Sequence, residues 1–391
     1  MNNISATINK MNITKRNDGR YMGRLTVNSK RKSFYGSTKI EVKNKAKEYL
    51  LKIENGYSEP EKIFLNDYME MWLMKYKYGK IEPSSFTRLY SVYTCQIKDG
   101  LGNKKIGEIT TDDIQELIDN HANPKDENTV ALTHSGLTKI IHLLKPCLNR
   151  AVKDKIISEN PADDVQIPSE SYIQKETKEQ ICLTDEQIKT FKNACLQKNK
   201  IGEYKSRDAL ILMVILNLGL RAGEALALEW NNIDLENNII TVTNTIQSRV
   251  MDIKTKTKYD RLKKSPKTKA GRRILKLNDE VLFYMNEIKE YDKRNNISSP
   301  YVVCTKTGKR VCYANLIRSL NRILARSENK LPKITIHTLR HTFGSTLLRK
   351  GVPIEVVSKL MGHANISITY NKYIHVLKEQ ESLAMKMLSI S

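Results

Sequence analysis

Two polar, turn-forming stretches divide the 391-residue sequence into three segments of different charge. Residues 55–60 read Asn-Gly-Tyr-Ser-Glu-Pro, and residues 160–180 are polar, contain proline and lack an apolar period, so both are predicted linkers. The segment before residue 56 carries a formal charge of +9, residues 60–165 carry −2, and residues 166–391 carry +17. Since a domain has roughly 100 to 200 residues, the length suggests two or three of them. We therefore predict domains at 1–55, 60–165 and 180–391.

The net charge of +23 indicates a polyanionic partner, with nucleic acid as the first candidate. A membrane is a weaker candidate, because the longest apolar run, residues 209–216, is far shorter than the roughly 20 residues of a spanning helix. The first residues contain no apolar stretch with a cleavage site, so we expect a cytoplasmic, nucleoid-associated protein. The six cysteines form no CxxC pair and stand at no metal-ligand spacing with histidine, so we expect reduced thiols and no metal site.

The first segment has the alternating pattern of a small antiparallel sheet. Residues 20–27 alternate after an Asp-Gly turn, and residues 31–35 are a predicted third strand. A capping-box spacing from Thr38 predicts a helix to about Leu51. This βββα unit would present a basic face to DNA. Its candidate DNA-binding residues are Arg20, Arg24, Arg31 and Lys32.

The other two segments are richer in helix. Residues 60–165 have the helical period in four places and predict an all-helical domain. Residues 180–391 open with a capping box at Thr184 and combine helices with short strands, so they predict a helix-dominated α+β domain. The fold class is therefore multidomain α+β. The predicted helices of the middle segment are 64–76, 84–97, 111–120 and 135–153, and the predicted strands of the last are 239–245, 273–277 and 301–304.

Arginines, histidines and lysines recur at short intervals in the last segment. Arg221 and Glu224 stand three residues apart at an apparent helix start, and His337 and Arg340 have the same spacing. Residues 249–276 hold 12 basic and two acidic residues, which as a solvated loop would be ordinary. Two arginines, two histidines, a lysine and a tyrosine together resemble a phosphodiester site that works by guanidinium clamping and general acid–base transfer.

The order of five motifs resembles that of the tyrosine recombinase family. The match runs from residue 184 to 376, and the start of the chain, Arg-Asn-Asp-Gly-Arg-Tyr from residue 16, is similar to the arm-binding domain of conjugative-transposon integrases. Residues 60–165 resemble the family's core-binding domain. The motifs are Gly-Leu-Arg221-Ala-Gly-Glu224, Pro-Lys267-Thr, His337-Thr-Leu-Arg340-His-Thr, Leu-Met-Gly-His363-Ala-Asn and Tyr373-Ile-His-Val.

The resemblance implies a site-specific DNA recombinase that integrates and excises a mobile element. Such an enzyme cuts one strand by forming a 3′-phosphotyrosine, and a 5′-hydroxyl from a partner strand reverses the reaction. Because the covalent intermediate keeps the bond energy, the resemblance implies no cofactor and no metal. It also implies double-stranded DNA with crossover and arm sites, a homotetramer on DNA, an excisionase and a DNA-bending host factor.

The resemblance assigns roles by position to seven residues. Phosphate clamping falls to Arg221 and Arg340 with His363 as a further donor, orientation to Glu224, the general base to His337, the general acid to Lys267 and the nucleophile to Tyr373.

Two of these roles have competitors. Tyr370 lies seven residues after His363 and Tyr373 lies ten, and spacing alone does not decide between them. The Ile-His-Val that follows Tyr373 favours it by resemblance. Three further lysines surround Lys267, which is chosen because Pro-Lys-Thr followed by Gly-Arg-Arg-Ile is the family's pattern; they are Lys263, Lys264 and Lys269.

Two rival functions and one assembly surface complete the hypotheses. The rivals are a non-catalytic DNA-binding regulator, against which the complete motif set argues, and a type IB topoisomerase, against which the arm-like first domain argues. The tail after Tyr373 has an apolar stripe that could dock on a neighbouring copy or pack within the chain. Its residues are Val376, Leu377, Leu383, Ala384, Met387 and Leu388.

Overall fold

The computed structural model describes residues 7–27, 30–54, 63–126, 129–175, 181–253, 255–264, 271–328 and 330–387. It divides the chain into two compact units, Met1–Thr177 and Lys178–Ser391. The boundary lies within the second predicted linker, while the separation of residues 1–55 from 60–165 stays a prediction. None of the helices in the described ranges has the length and apolar character of a membrane span.

The first unit begins with the predicted βββα arrangement. An antiparallel sheet in the order β1-β2-β3 is followed by helix α1, and the two pack around a core that includes Leu25, Phe34 and Val42. Gly23 is needed here, because a Cβ at this position would lie 2.8 Å from the side chain of Val42. The elements are β1 (Ile13–Lys15), β2 (Tyr21–Val27), β3 (Lys30–Gly36) and α1 (Lys39–Glu54).

The rest of this unit is helical, as expected. Two of the four predicted helices contain wider π-helical turns, at Leu73–Lys77 and Tyr93–Ile97. Thr110 and Asp113 form a capping box at the start of helix 111–122, so their side chains accept hydrogen bonds from backbone N–H groups that have no partner within the helix. The helices are α2 (Leu65–Trp72), α3 (Pro83–Val92), α4 (Lys98–Leu101), α5 (Thr111–Ala122) and α6 (His134–Lys153).

The second unit is built on a buried helix, α8. Every residue from 209 to 216 is buried, as the apolar run predicted, and α10 and α12 pack against this helix. The helices are α7 (Asp185–Cys195), α8 (Arg207–Leu218), α9 (Ala222–Leu226), α10 (Asp279–Arg294), α11 (Tyr313–Arg326), α12 (Ile336–Arg349), α13 (Ile354–Met361) and α14 (Ile366–Met387).

Two small antiparallel sheets lie beside these helices. The predicted strand at 239–245 is two strands, because the chain leaves one sheet after Val242 and enters a hairpin at Thr245. The predicted strand at 301–304 is wrong: this segment makes single bridges to Glu229 and Arg310 and no ladder. Its two buried valines each make one backbone hydrogen bond, from the Val302 N–H to the Leu228 carbonyl and from the Val311 N–H to the Val303 carbonyl. The strands are β4 (Ile233–Asp234), β5 (Ile239–Val242), β6 (Thr245–Met251), β7 (Lys258–Lys263) and β8 (Arg273–Lys276), in the sheets β4-β5-β8 and β6-β7.

Candidate active site

The first arginine of the predicted clamp lies at the start of α9. Helix α8 ends at Gly219, whose φ is 62° and where a Cβ would lie 2.3 Å from the ring of Phe343, so only glycine fits. The chain turns there, and the Arg221 guanidinium donates to Glu224 at 2.7 Å and to the Gly362 carbonyl at 2.8 Å. The pairing of Arg221 with Glu224 predicted from their spacing is therefore present.

Glu224 is 4% exposed and is shared between two arginines. Arg273 on β8 donates to both carboxylate oxygens, at 3.1 and 2.9 Å, and to the Leu360 carbonyl at 2.7 Å. Burial raises the pKa of Glu224, but the hydrogen bond and charge of Arg273, joined by Arg221, outweigh burial and hold this pKa below its usual value. An ionised Glu224 thus fixes the orientation of Arg221, and Arg273 is a site residue that the sequence reasoning missed.

Arg340, on α12, is 1% exposed and is held by carbonyls instead of a carboxylate. Its two terminal nitrogens donate to the Gly219 carbonyl at 2.6 Å and to the Met361 carbonyl at 2.7 Å. Burial, reinforced by the charge of Arg221, lowers the pKa of Arg340 to about 9, so the guanidinium is still charged at pH 7. Neutral carbonyl partners orient this cation without neutralising it, which leaves its charge for an incoming anion.

His363 lies at the end of α13 and is 9% exposed. Gly362, with a φ of 66°, ends that helix, and the ring Nδ1 of His363 lies 2.8 Å from the Thr369 hydroxyl oxygen. Burial, followed by the charges of Arg340 and Arg221, lowers the pKa of His363 to about 3. The ring is therefore neutral at pH 7 and can donate one hydrogen bond.

His337 lies in the first turn of α12 and its residue surface is exposed. Burial of part of the ring, followed by the charges of Lys372, Arg340 and Arg221, lowers its pKa to about 4. Because the residue reaches solvent, we attribute the direction of this shift chiefly to the three cations. A neutral imidazole beside cations can accept a proton, as a general base must.

One pocket of about 390 Å³ collects most of the predicted side chains. A larger cavity, of about 1320 Å³, lies between β8 and α13, but its lining is mainly apolar and, of the six assigned residues that the structure describes, includes only His363. The smaller pocket is therefore the candidate site. Among the described residues, five of the predicted ones line it, namely Arg221, Glu224, His337, Arg340 and His363.

Tyr373 is fully buried and its hydroxyl lies outside this lining. The hydroxyl oxygen is 3.3 Å from Nδ1 of His341 and 3.5 Å from the Met361 sulfur, and burial raises its pKa above the usual value. Helix α14 departs from helical geometry at Tyr373, where φ is −116° and ψ is 18°. The preceding residue, Lys372, lines the pocket instead, and Tyr370 is 47% exposed. In this conformation neither of the two competing tyrosines lines the pocket.

The predicted general acid, Lys267, lies outside the described residues, as do its competitor Lys269 and the rest of 265–270. Of the competing lysines, Lys263 at the end of β7 lines the pocket, and Gly271 does so on the other side of the undescribed segment. The predicted lysine motif is thus flanked on both sides by residues of the pocket wall.

Three residues of the site carried little or no signal in the sequence. Arg273 belongs to the Gly-Arg-Arg-Ile pattern, which helped to select Lys267 and lies at a predicted strand but gave Arg273 no role of its own. His341 follows Arg340 in the His-Thr-Leu-Arg-His-Thr motif, which gave it no role. Lys372 stands in no motif, and only the path of α14 brings it to the pocket.

The four basic candidates of the first segment do not all lie on one side of the sheet. Arg24 pairs with Ser33 and Arg31 with Thr26, so both lie on the exposed face, and Arg20 precedes β2 with an ion pair to Asp18. Lys32, by contrast, pairs with buried Leu25, and its ammonium lies 5.1 Å from the ring centroid of Tyr49 on α1. The structure therefore does not bring Lys32 together with Arg24 and Arg31.

Comparison with known families gives two matches in this chain. The phage integrase family matches residues 182–380, and the N-terminal SAM-like domain of phage integrases matches residues 64–121. The first match contains all seven residues to which roles were assigned. The second falls within the predicted helical domain.

Curated relatives and solved structures agree with this. A tyrosine recombinase XerC-like protein of Caldanaerobacter subterraneus subsp. tengcongensis is 30% identical over 92% of this chain and 91% of its own, and the transposase from transposon Tn916 of Enterococcus faecalis is 26% identical over 75% and 69%. The Tn1549 transposon integrase, solved with a circular intermediate DNA, has a TM-score of 0.63 at 20% identity over 80% of this chain and 95% of that one. A lambda integrase from a tetramer on a Holliday junction has a TM-score of 0.57 at 15% identity over 90% and 96%.

The two structural neighbours establish the fold, while the family match and the XerC-like relative decide between the three functional hypotheses. The chain therefore belongs to the phage integrase family and is a site-specific tyrosine recombinase.

Proposed function

We propose that this recombinase binds the scissile phosphate in the pocket between α9, α12 and α13. The observation that carries the proposal is that Arg221, Arg340 and His363, from three separate motifs, converge there while backbone carbonyls hold both guanidiniums in place. A guanidinium can donate two parallel hydrogen bonds to phosphate oxygens. It also stabilises the negative charge that develops on the phosphoryl group during attack. Arg273 would act indirectly: it keeps Glu224 ionised, and the Glu224 carboxylate in turn orients Arg221.

The proposed nucleophile is the Tyr373 phenol. A phenol with a pKa near 10 is only about one-thousandth ionised at pH 7, so it needs a base. His337 would take the phenol proton as the bond from oxygen to phosphorus forms and the bond from phosphorus to the 5′-oxygen breaks. Lys267 would give that oxygen its proton, which leaves a 3′-phosphotyrosine and a 5′-hydroxyl.

Attack requires Tyr373 to leave its buried position. The hydroxyl is held by His341 and Met361, while Lys372 lines the phosphate pocket. The break in helical geometry at Tyr373 supports a rearrangement at this residue, because a residue outside the helical region is not held by a regular ladder of backbone hydrogen bonds. We therefore infer that the described conformation precedes cleavage.

The proposed partners are those of a mobile-element integrase. Residues 60–165 and 180–391 would bind the crossover site, and residues 1–55 an arm site, with four copies assembling on DNA. An excisionase and a DNA-bending host factor would set direction, and the protein would reside in the cytoplasm on the nucleoid. The net charge of +23 supports binding to DNA.

The arm site would be read by the exposed face of the first sheet. Strands can enter the major groove, and Arg24 and Arg31 lie on that face with Arg20 at its edge. A fragment of residues 1–55 should protect a short sequence distinct from the crossover site. Binding without sequence preference would leave only nonspecific phosphate attraction.

The function is tested with supercoiled DNA that carries two crossover sites mapped from the flanks of the gene. A recombinase should exchange the segments between these sites and leave a plasmid without them unchanged. Relaxation of the plasmid without sites would indicate a topoisomerase. A mobility shift with neither product would indicate a DNA-binding regulator.

A further inference from the structure

Lys372 occupies a position in the pocket that none of the assigned roles explains. It lies on α14, directly before Tyr373, and lines the same pocket as Arg221, His337, Arg340 and His363. Burial, followed by the charges of Arg340 and Arg221, lowers its pKa from the usual value. Its ammonium also contributes to the lowered pKa of both His337 and His363, so it lies within electrostatic reach of the whole cluster.

The Lys372 ammonium has no acceptor in the described part of the chain. Glu224, which is the carboxylate of the pocket, is already engaged by Arg221 and Arg273. The undescribed residues 265–270 contain no aspartate or glutamate in sequence. A half-buried ammonium that has no counter-ion among the described residues is unfavourable unless an anion joins it, so an anion bound in the pocket would stabilise it.

Helix geometry separates Lys372 from its neighbour. Consecutive helical residues project about 100° apart, so Lys372 and Tyr373 point in different directions from α14. In the described conformation Lys372 is in the pocket and Tyr373 is buried against His341 and Met361. The lysine is therefore in place at the stage before the nucleophile arrives.

We propose that Lys372 is a further phosphate-binding residue, which holds the scissile phosphate with Arg221 and Arg340 while Tyr373 is still buried. The proposal rests on the proposed function of the pocket and adds a residue to it. A lysine suits this stage, since its ammonium is a compact charge on a flexible stem that can yield its place.

A double-mutant cycle on DNA binding tests the contact. All proteins carry Tyr373→Phe so that no covalent product forms, and the duplex contains the mapped crossover site with either a phosphate or an uncharged methylphosphonate at the scissile position. Lys372→Gln should weaken binding to the phosphate duplex about tenfold, equivalent to roughly 1.4 kcal/mol, and should have no further effect on the methylphosphonate duplex. It should also reduce the salt slope by about 0.9. Equal losses on both duplexes would overturn the proposal.

The same helix offers a matched control. Lys378 is exposed on α14, and Lys378→Gln should change binding to both duplexes equally. Lys372→Arg, which keeps the charge, should bind both duplexes like the Tyr373→Phe protein, and a loss as large as that of Lys372→Gln would count against a charge contact. Equal urea midpoints for Lys372→Gln and Lys372→Arg guard against misfolding.

Failure of this proposal is distinguishable from failure of the proposed function. The otherwise unchanged enzyme is offered a nicked crossover duplex in parallel. If it forms a covalent adduct through Tyr373 while the Lys372 cycle is additive, only the lysine contact is wrong. If Tyr373 forms no adduct, the function proposed for the pocket is wrong, and the Lys372 contact falls with it.

Discussion

The hydroxyl of Tyr373 lies 3.3 Å from Nδ1 of His341, on the helix that also carries Arg340. The two side chains are both buried, and the His341 ring packs edge-on against that of His337, with centroids 4.3 Å apart. His341 thus lies between the proposed nucleophile, Tyr373, and the proposed base, His337. Under the proposed mechanism, this contact has to break before Tyr373 attacks.

Gly344 makes the buried position of Tyr373 possible, because a Cβ on Gly344 would lie 2.4 Å from the tyrosine hydroxyl. Gly344→Ala should therefore displace the tyrosine, cost about 1 to 3 kcal/mol of unfolding free energy through overpacking, and speed adduct formation on a nicked substrate. Adduct rates and urea unfolding measure both effects. Ile323→Val, a core change on α11, is the control for lost stability alone. Slower adduct formation than in that control would contradict a storage role.

Three histidines of the site should make the second unit sensitive to acid. Burial and neighbouring charges lower the pKa of His337 to about 4 and those of His341 and His363 to about 3. The unfolded chain, with histidine pKa values near 6.5, therefore binds protons first as pH falls. Stability should be complete above about pH 6.5 and fall below it, by up to roughly 1.4 kcal/mol per pH unit for each of the buried residues His341 and His363. The exposed His337 should contribute less, because solvent screens the charges around it.

Unfolding free energies between pH 7.5 and 5 check this slope, because carboxylates contribute mainly below that window. His341→Phe should make the slope shallower by removing one titrating group. His142→Gln, an exposed histidine in the first unit, should leave the slope of the second unit unchanged. A slope that His341→Phe does not alter would contradict the burial of a neutral His341.

The general acid is assigned by substituting sulfur for the 5′-bridging oxygen. A thiolate leaves without being protonated, because thiols have a pKa near 8.5. Lys267→Ala should be strongly impaired on ordinary DNA and recover on the sulfur substrate. Lys263→Ala, which removes a cation from the pocket wall, should be impaired on both. Recovery in Lys263→Ala alone would move the role to Lys263.

The first residues of the tail's apolar stripe pack against other residues of the same chain. Val376 is buried with Tyr373, Leu377 packs beside it, and the Gln380 amide donates to the Leu348 carbonyl. The side chains of Leu383, Ala384 and Met387 and all of Leu388 lie outside the description. Deletion of residues 381–391 should weaken synapsis of two sites more than binding to one site. Gel shifts measure both, and an equal loss would exclude docking on a neighbouring copy.

The sequence predicted the order of the elements well because periodicity and caps are local. The eight-residue run gave the buried helix α8, and Thr184 with Gln187 forms the capping box expected at α7. The same holds for Arg221 and Glu224, whose contact spans one helical turn. The strand prediction for 301–304 was wrong because a run of buried valines has the same sequence pattern whether or not its backbone joins a β-ladder.

The parts that sequence reasoning missed depend on contacts between distant residues. Arg273 reaches Glu224 across 49 residues, and Arg340 reaches the Gly219 carbonyl across 121. The backbone leaves helical geometry at Tyr373, but the sequence on both sides keeps a helical pattern. The sequence period therefore does not distinguish the buried Tyr373 from the exposed Tyr370. Motif order could assign Tyr373 a role, but only the fold indicates where its hydroxyl lies.

The central claim, that Tyr373 is the nucleophile despite its burial, is tested most directly by covalent capture on a nicked crossover duplex. Tyr373→Phe should bind this duplex and form no adduct, while Tyr370→Phe should form the adduct with its 3′ end at the normal yield. Denaturing gels give the yield, and peptide mapping of the adduct gives the residue. An adduct in Tyr373→Phe, linked through Tyr370 or any other residue, would contradict the account.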